Sequence, residues 1–275
     1  MMLDIKDLRV TFNNDNGQQV EVVHGINVSL AKGETLGIVG ESGSGKSVLS
    51  LATIGLLPKT AQASGEILFN GEDILSKSEQ QMCALRGSKI GMIFQEPMTA
   101  LNPAMKIGSQ IAEGLRLHRN ISRSEANAEV IRLLEMVKIP DAKRKAHSYP
   151  HEMSGGQRQR VGIAIALALE PDLLIADEPT TALDVTVQAE VLDILDDLVS
   201  KLGIALILIS HDLGVIARIA DRTLVMYRGD EIEQGETEQI LRQPSHAYTR
   251  KLIDAQPRRV RSDSVRSDFT AESAN

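Results

Sequence analysis

Cysteine and long apolar runs are the features that this sequence most clearly lacks. Cys83 is the single cysteine among 275 residues, which excludes a disulfide framework and a cysteine-ligated zinc or iron–sulfur site within the chain. The longest apolar runs, such as residues 163–169 and 204–209, are far too short to cross a bilayer. The first residues are charged and contain no hydrophobic core of a signal peptide. We therefore expect any membrane association to depend on a partner protein.

Positive charge is also scarce. The sequence has 30 Lys and Arg residues against 37 Asp and Glu residues, a formal net charge of −7. This balance argues against a broad surface for nucleic acid, so we expect no nucleic-acid partner. The length is enough to bury a substantial core, either as one large α/β domain or as a domain with a subdomain.

A glycine-rich segment decides the class of chemistry. Residues 40–47 fit the pattern G-x-x-x-x-G-K-[ST] and lie between an apolar run and a helix-compatible run. In such a loop, backbone N–H groups and a helix N-terminus bind phosphate oxygens. Lys46 would contact the β- and γ-phosphates, and the hydroxyl of Ser47 would bind Mg²⁺. The pattern predicts that a nucleoside triphosphate is bound by Gly40, Glu41, Ser42, Gly43, Ser44, Gly45, Lys46 and Ser47.

Polar residues at the ends of other predicted strands complete a candidate catalytic site. Asp177 and Glu178 follow the apolar run 173–176, at the end of the strand where open α/β sheets bind ligands. Asp177 suits Mg²⁺ through water, and Glu178 is placed to polarise an attacking water. His211 and Gln95 end two further predicted strands. We assign His211 a contact with the γ-phosphate, and Gln95 a contact with Mg²⁺ or the attacking water.

The order of predicted elements indicates the fold. Residues 3–12 and 20–30 indicate antiparallel strands, whereas the runs 173–176 and 204–209 are continuous and apolar, as in parallel strands buried on both faces. Between these two groups of strands, from about residue 97 to residue 159, the apolar residues have helical spacing. We predict an α/β fold: a phosphate-loop core with a mixed, largely parallel sheet, an N-terminal antiparallel β subdomain and an inserted α-helical subdomain.

The predicted domain is single. Residues 1–257 form one unit, with the helical subdomain inserted at about 97–159. Residues 258–275 are rich in Arg, Ser and Asp and contain the segment Val-Arg-Ser-Asp two times. This composition is typical of a disordered tail.

A second glycine motif identifies a family. Residues 154–157 read Ser-Gly-Gly-Gln before a helix-compatible run, so their amides form a second anion-binding helix start. Six motifs in this order resemble the ATP-binding cassette family. They are the phosphate loop 40–47, the Q-loop at Gln95, the signature 154–157, the acidic strand end at Asp177 and Glu178, the D-loop 181–184 and the switch histidine His211.

The resemblance implies that ATP, with Mg²⁺, is bound between two cassettes. Family members pair head-to-tail, so each ATP lies between the phosphate loop of one subunit and the signature of the other. The residues that match the motifs acting in cis are Lys46, Ser47, Gln95, Asp177, Glu178 and His211. Those that match the motif acting in trans are Ser154, Gly155, Gly156 and Gln157. Asp184 would lie at the dimer seam, and Phe12 matches the aromatic residue that stacks on adenine.

Four longer segments resemble the peptide- and nickel-uptake cassettes more closely. They are FQEPMTALNP at 94–103, YPHEMSGG at 149–156, ADEPTTALDVTVQ at 176–188 and PSHAYT at 244–249. Many peptide-type members continue into a cysteine-containing C-terminal extension, and this sequence has no such cysteines. The resemblance implies uptake of peptides across the inner membrane, with nickel or a metal chelate as the alternative that stays open at this point.

The resemblance also implies partners and a location. The chain would be the ATP-hydrolysing subunit of an importer, peripheral at the cytoplasmic face of the inner membrane. Its partners would be a second cassette, two integral membrane permeases and an extracytoplasmic solute-binding protein. We expect the permease to contact an exposed surface at residues 98–105, including Leu101. The alternatives are a soluble non-transport cassette ATPase, which would usually carry two cassettes or a long coiled-coil arm, and an exporter cassette, which is often fused to membrane spans.

Overall fold

The structure is a computed structural model that describes residues 1–13, 16–95, 100–181 and 183–255. The predicted tail at 258–275 and residues 98–99 of the predicted permease contact lie outside these ranges. In chain order, the strands are β1 (Leu3–Asn13), β2 (Gln19–Leu30), β3 (Thr35–Val39), β4 (Ala61–Phe69), β5 (Glu72–Asp73), β6 (Ile90–Ile93), β7 (Leu173–Asp177), β8 (Ala205–Ser210), β9 (Arg222–Tyr227) and β10 (Asp230–Glu236).

The helices of the described residues flank these strands. They are α1 (Lys46–Thr53), α2 (Glu79–Leu85), α3 (Ile107–His118), α4 (Arg123–Met136), α5 (Ala142–Lys145), α6 (Gly155–Leu167), α7 (Val185–Leu202), α8 (Leu213–Ile219), α9 (Thr237–Arg242) and α10 (Ala247–Asp254). The run from α3 to α6 follows β6 and precedes β7, so it forms the helical region predicted between the motifs.

Two sheets form the framework. The N-terminal sheet is antiparallel, in the order β2-β1-β4-β5. The central sheet has the order β10-β9-β3-β8-β7-β6, in which only β10 runs antiparallel to its neighbour. The predicted α/β fold, with its antiparallel N-terminal part and largely parallel sheet, is confirmed.

The central strands are apolar throughout because they are buried on both faces. In β7, Leu173 and Ile175 join the core that includes the N-terminal sheet and α1, whereas Leu174 and Ala176 join the core that includes α3, α4, α6 and α7. All five residues of β7 are buried. A strand with one solvent-exposed face would instead alternate between apolar and polar residues.

Local signals set the ends of the helices. Ser122 accepts a hydrogen bond from the amide of Glu125 at 3.2 Å, and its own amide donates to the Glu125 carboxylate at 2.7 Å. This is a capping box, and it starts α4. A different helix, α7, ends at Gly203, which adopts a left-handed conformation with φ of 62°.

The prediction that Leu101 is exposed is wrong. Its side chain is 3% exposed and belongs to the core that α3, α4 and α6 share with the central sheet. Apolar residues between turn-forming residues look alike in sequence whether they bind a partner or fill a core. A charge at Leu101 would be buried and would destabilise the fold, so Leu101→Glu is not a test of a permease contact.

No helix in the described ranges is long and apolar enough to cross a membrane.

Candidate active site

The topology brings four predicted functional segments to one edge of the central sheet. The neighbouring parallel strands β3, β8, β7 and β6 lead at their carboxyl ends into the phosphate loop, His211, the Asp177–Glu178 pair and Gln95, respectively. Strands in this register end together, so segments far apart in sequence become neighbours. This is the position at which open α/β sheets bind ligands.

The phosphate loop is packed closely against β9. A Cβ atom on Gly40 would lie 2.1 Å from the carbonyl oxygen of Met226, so the loop starts where only glycine fits. Lys46, the first residue of α1, is 5% exposed. Its Nζ donates to the carbonyl oxygens of Gly40 at 2.7 Å and Glu41 at 2.9 Å. The loop therefore holds the ammonium group inside the curve where phosphate oxygens would bind.

The buried charges of the site are poorly compensated within the protein. Burial lowers the pKa of Lys46, and the negative charges of Glu178 and Asp177 act in the opposite direction. Burial likewise raises the pKa of Asp177; the hydroxyl of Ser47 lowers it, the charge of Glu178 raises it and that of Lys46 lowers it. Both shifts report loss of water around a charged group. A bound phosphate and a bound cation would each supply the missing opposite charge.

The donor set suits Mg²⁺. Asp177 Oδ1 is buried and has no hydrogen-bond partner, and the hydroxyl of Ser47 is close enough to the same carboxyl group to lower its pKa. The described residues contain no group of three or more His, Cys, Asp or Glu side chains that could hold a metal ion. Mg²⁺ keeps waters and phosphate oxygens as ligands, so one carboxylate and one hydroxyl fit this ion.

Glu178 is the centre of a hydrogen-bonded cluster. Its Oε2 accepts from the amide nitrogen of Gln95 at 3.2 Å and from the hydroxyl of Thr181 at 2.8 Å. The same oxygen lies 3.3 Å from Nδ1 of His211. The three predicted catalytic residues therefore meet at one carboxylate oxygen. An oriented carboxylate beside a phosphate-binding loop can accept a proton from water.

The backbone at Glu178 is strained. Its φ is +46°, a left-handed conformation that is unfavourable for a side chain of this size. The amide of Glu178 donates to the carbonyl oxygen of Ile209 on β8 at 3.0 Å, which fixes the turn against the neighbouring strand. Strain of this kind persists where the surrounding structure holds a functional side chain in place.

The second glycine motif starts α6. Ser154 accepts from the amide of Gln157 at 3.3 Å, and the Ser154 amide donates to the side-chain oxygen of Gln157 at 3.2 Å. A Cβ on Gly156 would lie 2.4 Å from Cγ1 of Val187, so glycine allows α6 to approach α7. Gly155 faces Leu183, whose Cδ2 would lie 3.5 Å from an added Cβ.

Comparison with known protein families decides the family. The model of the family described as ABC transporter matches residues 23–181, which include the phosphate loop, Gln95, the signature, Glu178 and Thr181. The chain belongs to the ABC transporter family. A second model, described as the C-terminal region of oligopeptide/dipeptide transporters, matches residues 232–271. The chain is thus an ATPase subunit of the oligopeptide/dipeptide branch of these transporters.

Curated relatives agree with this assignment. The chain is 51% identical over 257 residues to the oligopeptide transport ATP-binding protein OppD of Escherichia coli, covering 94% of this chain and 76% of that protein. It is 48% identical over 259 residues to the dipeptide transport ATP-binding protein DppD of Bacillus subtilis, covering 94% of this chain and 77% of the relative.

Solved structures have the same fold. A dimeric ATP-binding cassette in a post-hydrolysis state, bound to ADP and phosphate, superposes with a TM-score of 0.76 at 26% identity, covering 86% of this chain and 99% of that one. The protein cbiO1 of Clostridium perfringens, part of the transporter complex cbiONQ, superposes with a TM-score of 0.75 at 30% identity, covering 94% of this chain and 97% of that one.

Two further predicted cassette residues, Asp184 and Phe12, make contacts with other parts of the fold. Asp184 caps the N-terminus of α7 by accepting from the amide of Val187 at 3.0 Å, and its place at a dimer seam stays a prediction. Phe12 lies at the end of β1 opposite Val20 and Ala61, half-buried against the core of the N-terminal sheet. Its stacking on adenine also stays a prediction.

Sequence reasoning missed two residues of the ABC cassette site. Thr181 belongs to the predicted D-loop, but its hydrogen bond to Glu178 was not expected; the signal was a hydroxyl three residues after the carboxylate. Tyr248 lies about 200 residues from the phosphate loop in sequence, and its hydroxyl accepts from the amide of Glu41 at 3.2 Å. No local pattern predicts that contact.

Proposed function

We propose that this ABC cassette hydrolyses ATP to drive uptake of peptides across a membrane, as one of two cassettes bound to permease subunits. The observation that carries the catalytic part is the convergence of Gln95, His211 and Thr181 on Glu178, beside Lys46 and Asp177. The peptide class is supported by the match of residues 232–271 to the oligopeptide/dipeptide C-terminal region. That match favours peptides over nickel or a metal chelate.

In the proposed reaction, water attacks the γ-phosphorus of ATP while the bond to the leaving ADP oxygen breaks. Glu178 polarises the water and accepts its proton, because it is an oriented carboxylate in a hydrogen-bonded cluster. Lys46 donates to β- and γ-phosphate oxygens, and His211 contacts the γ-phosphate. Ser47, Asp177 and Gln95 would hold Mg²⁺, which would supply positive charge against the phosphate oxygens. Positioning and charge neutralisation account for most of the rate increase in such reactions.

A second cassette would complete the site. Ser154 is exposed at the start of α6, and the N-terminus of a helix favours a bound anion. In a head-to-tail pair the helix start at Ser154 would bind the γ-phosphate held by the partner's phosphate loop. The relative of known structure that is dimeric with ADP and phosphate supports such a pair.

Ser154→Arg is expected to block ATP-driven pairing of cassettes while leaving ATP binding by each monomer within about twofold of wild type. The arginine would fill the second phosphate site but would not touch the first. Light scattering during ATP titration measures both. Ser122→Arg is the matched control, because it removes the same kind of capping box, from α4, at a cost of about 1 kcal/mol. ATP-driven pairing of Ser154→Arg as strong as that of the Ser122→Arg control would contradict the head-to-tail arrangement.

A groove in the helical region would receive the permease. It has a volume of about 820 Å³ and lies among α3, α4 and α5. Most of its charged side chains are basic, namely those of Lys106, Arg116, Arg123 and Lys143. Glu113 is acidic. A short helix carrying acidic residues on one face would complement this surface. Because α3 follows the Gln95 segment, a shift at the nucleotide could move the groove and the permease with it.

The transport proposal is tested by uptake in cells that lack this gene. We expect the wild-type gene to restore uptake of a labelled tripeptide, and the Glu178→Gln variant, expressed at the same level, to restore less than a tenth of it. Labelled Ni²⁺ is measured in parallel. Restored nickel uptake without peptide uptake would favour the metal alternative, and restoration of neither would favour a non-transport ATPase.

A further inference from the structure

The segment PSHAYT at 244–249 belongs to the family resemblance but has no place in the reaction described above. It leads into α10, and Tyr248 is the second residue of that helix. The side chain of Tyr248 reaches the phosphate loop, where its hydroxyl accepts from the Glu41 amide at 3.2 Å. The C-terminal part of the cassette is therefore in direct contact with the nucleotide site.

We infer that Tyr248 is a positioning residue that holds the start of the phosphate loop in the conformation that binds ATP. The peptide group before Glu41 donates to the Tyr248 hydroxyl, and the carbonyl of Glu41 accepts from Lys46 Nζ at 2.9 Å. Glu41 is thus held on both sides of its Cα atom. Fixing its amide also fixes the carbonyl that orients the ammonium group of Lys46.

The aromatic ring of Tyr248 is itself held in place. It packs against the ring of Tyr227 with centroids 4.3 Å apart and an interplanar angle of 39°. Arg228 is the residue after Tyr227, at the end of β9. Its guanidinium lies 5.1 Å from the centroid of the Tyr227 ring. Burial raises the pKa of Tyr248, so its hydroxyl stays protonated at neutral pH. A fixed ring gives the hydroxyl a defined position.

The motif residues before Tyr248 anchor α10 to the central sheet. The carboxylate of Glu233 on β10 accepts from the amides of Ser245 at 2.7 Å and His246 at 3.2 Å. Nδ1 of His246 in turn accepts from the amide of Tyr248 at 3.1 Å. These contacts explain why polar residues precede the tyrosine: they fix the start of the helix that carries it.

A second contact supports the loop at another residue. The turn between β9 and β10 contains Gly229, whose amide donates to the carbonyl oxygen of Ser44 at 3.1 Å. The phosphate loop is therefore held at Glu41 and at Ser44 by residues that follow β9. We expect the Tyr248 contact to affect nucleotide affinity and not the chemical step, because it touches no catalytic group.

Tyr248→Phe tests the inference, since it removes the hydroxyl and keeps the ring packing. We expect the Kd for MgADP and the KM for ATP to rise about fivefold, the effect of one hydrogen bond, with kcat within twofold of wild type. Hydrogen exchange at the Glu41 amide should become faster in the protein without nucleotide. Calorimetry, steady-state kinetics and exchange measured by mass spectrometry on the full chain give the three results.

Tyr227→Phe is the matched control, because it removes a hydroxyl from the same ring pair and leaves the Glu41 contact in place. An unchanged Kd in Tyr248→Phe, an equal rise in the control, or a fall in kcat with unchanged KM would overturn the inference. The test depends on nucleotide binding and not on the transported solute. If wild type binds MgADP but transports no peptide, the proposed function fails while the role of Tyr248 is still measured.

Discussion

Glu178→Gln is expected to lower the rate of ATP hydrolysis by a factor of about 100 to 10,000, the usual contribution of a general base, while ATP still binds. Glutamine has nearly the same shape, so the contacts with Thr181 and His211 can persist, but an amide does not accept a proton from water. Since opening of the pair would follow hydrolysis, the variant should also accumulate as an ATP-bound dimer. Phosphate release and size-exclusion chromatography with ATP measure the two effects.

Glu135→Gln provides the control for this variant. Glu135 is exposed on α4, so the substitution makes the same change of charge away from the cluster and should leave hydrolysis unchanged. Hydrolysis by Glu178→Gln at the wild-type rate would show that another group activates the water. Loss of ATP binding in that variant would mean that Glu178 mainly organises the phosphate site.

Lys46→Ala is expected to weaken ATP binding by about 100-fold, since it removes charged hydrogen bonds to phosphate that are worth about 1.5–3 kcal/mol each. The protein without nucleotide should lose much less stability than the complex, because the buried ammonium is poorly compensated, as its lowered pKa indicates. The rise in Tm on adding MgATP should therefore almost disappear. Calorimetric titration and thermal unfolding measure the affinity and the shift.

Lys59→Ala is the matched control, because Lys59 is exposed in a turn before β4. It removes the same side chain from a position away from the phosphate loop, so ATP affinity and the Tm shift should stay at wild-type values. A Lys46→Ala protein that kept wild-type affinity would show that backbone amides alone hold the phosphates.

The local chemistry was predictable because it depends on short motifs. Lys46 and Ser47 follow from the spacing of glycines, and the capping box at Ser122 and Glu125 follows from residues three positions apart. The exposed state of Leu101 was predicted wrongly, because burial depends on what packs around a residue and not on its immediate neighbours in the chain.

The sequence alone predicted a bound nucleoside triphosphate, the strand–loop–helix arrangement of the phosphate loop and the family, since each depends on short motifs and their order in the chain. Only the tertiary structure decided which side chains, distant in sequence, contact one another. The parallel order β3-β8-β7-β6 brings Gln95 and His211 to Glu178, and the return of α10 places Tyr248 on Glu41. These contacts join residues separated by about 30 to 200 positions, and they form only when strand pairing and core packing fix the ends of the elements in space.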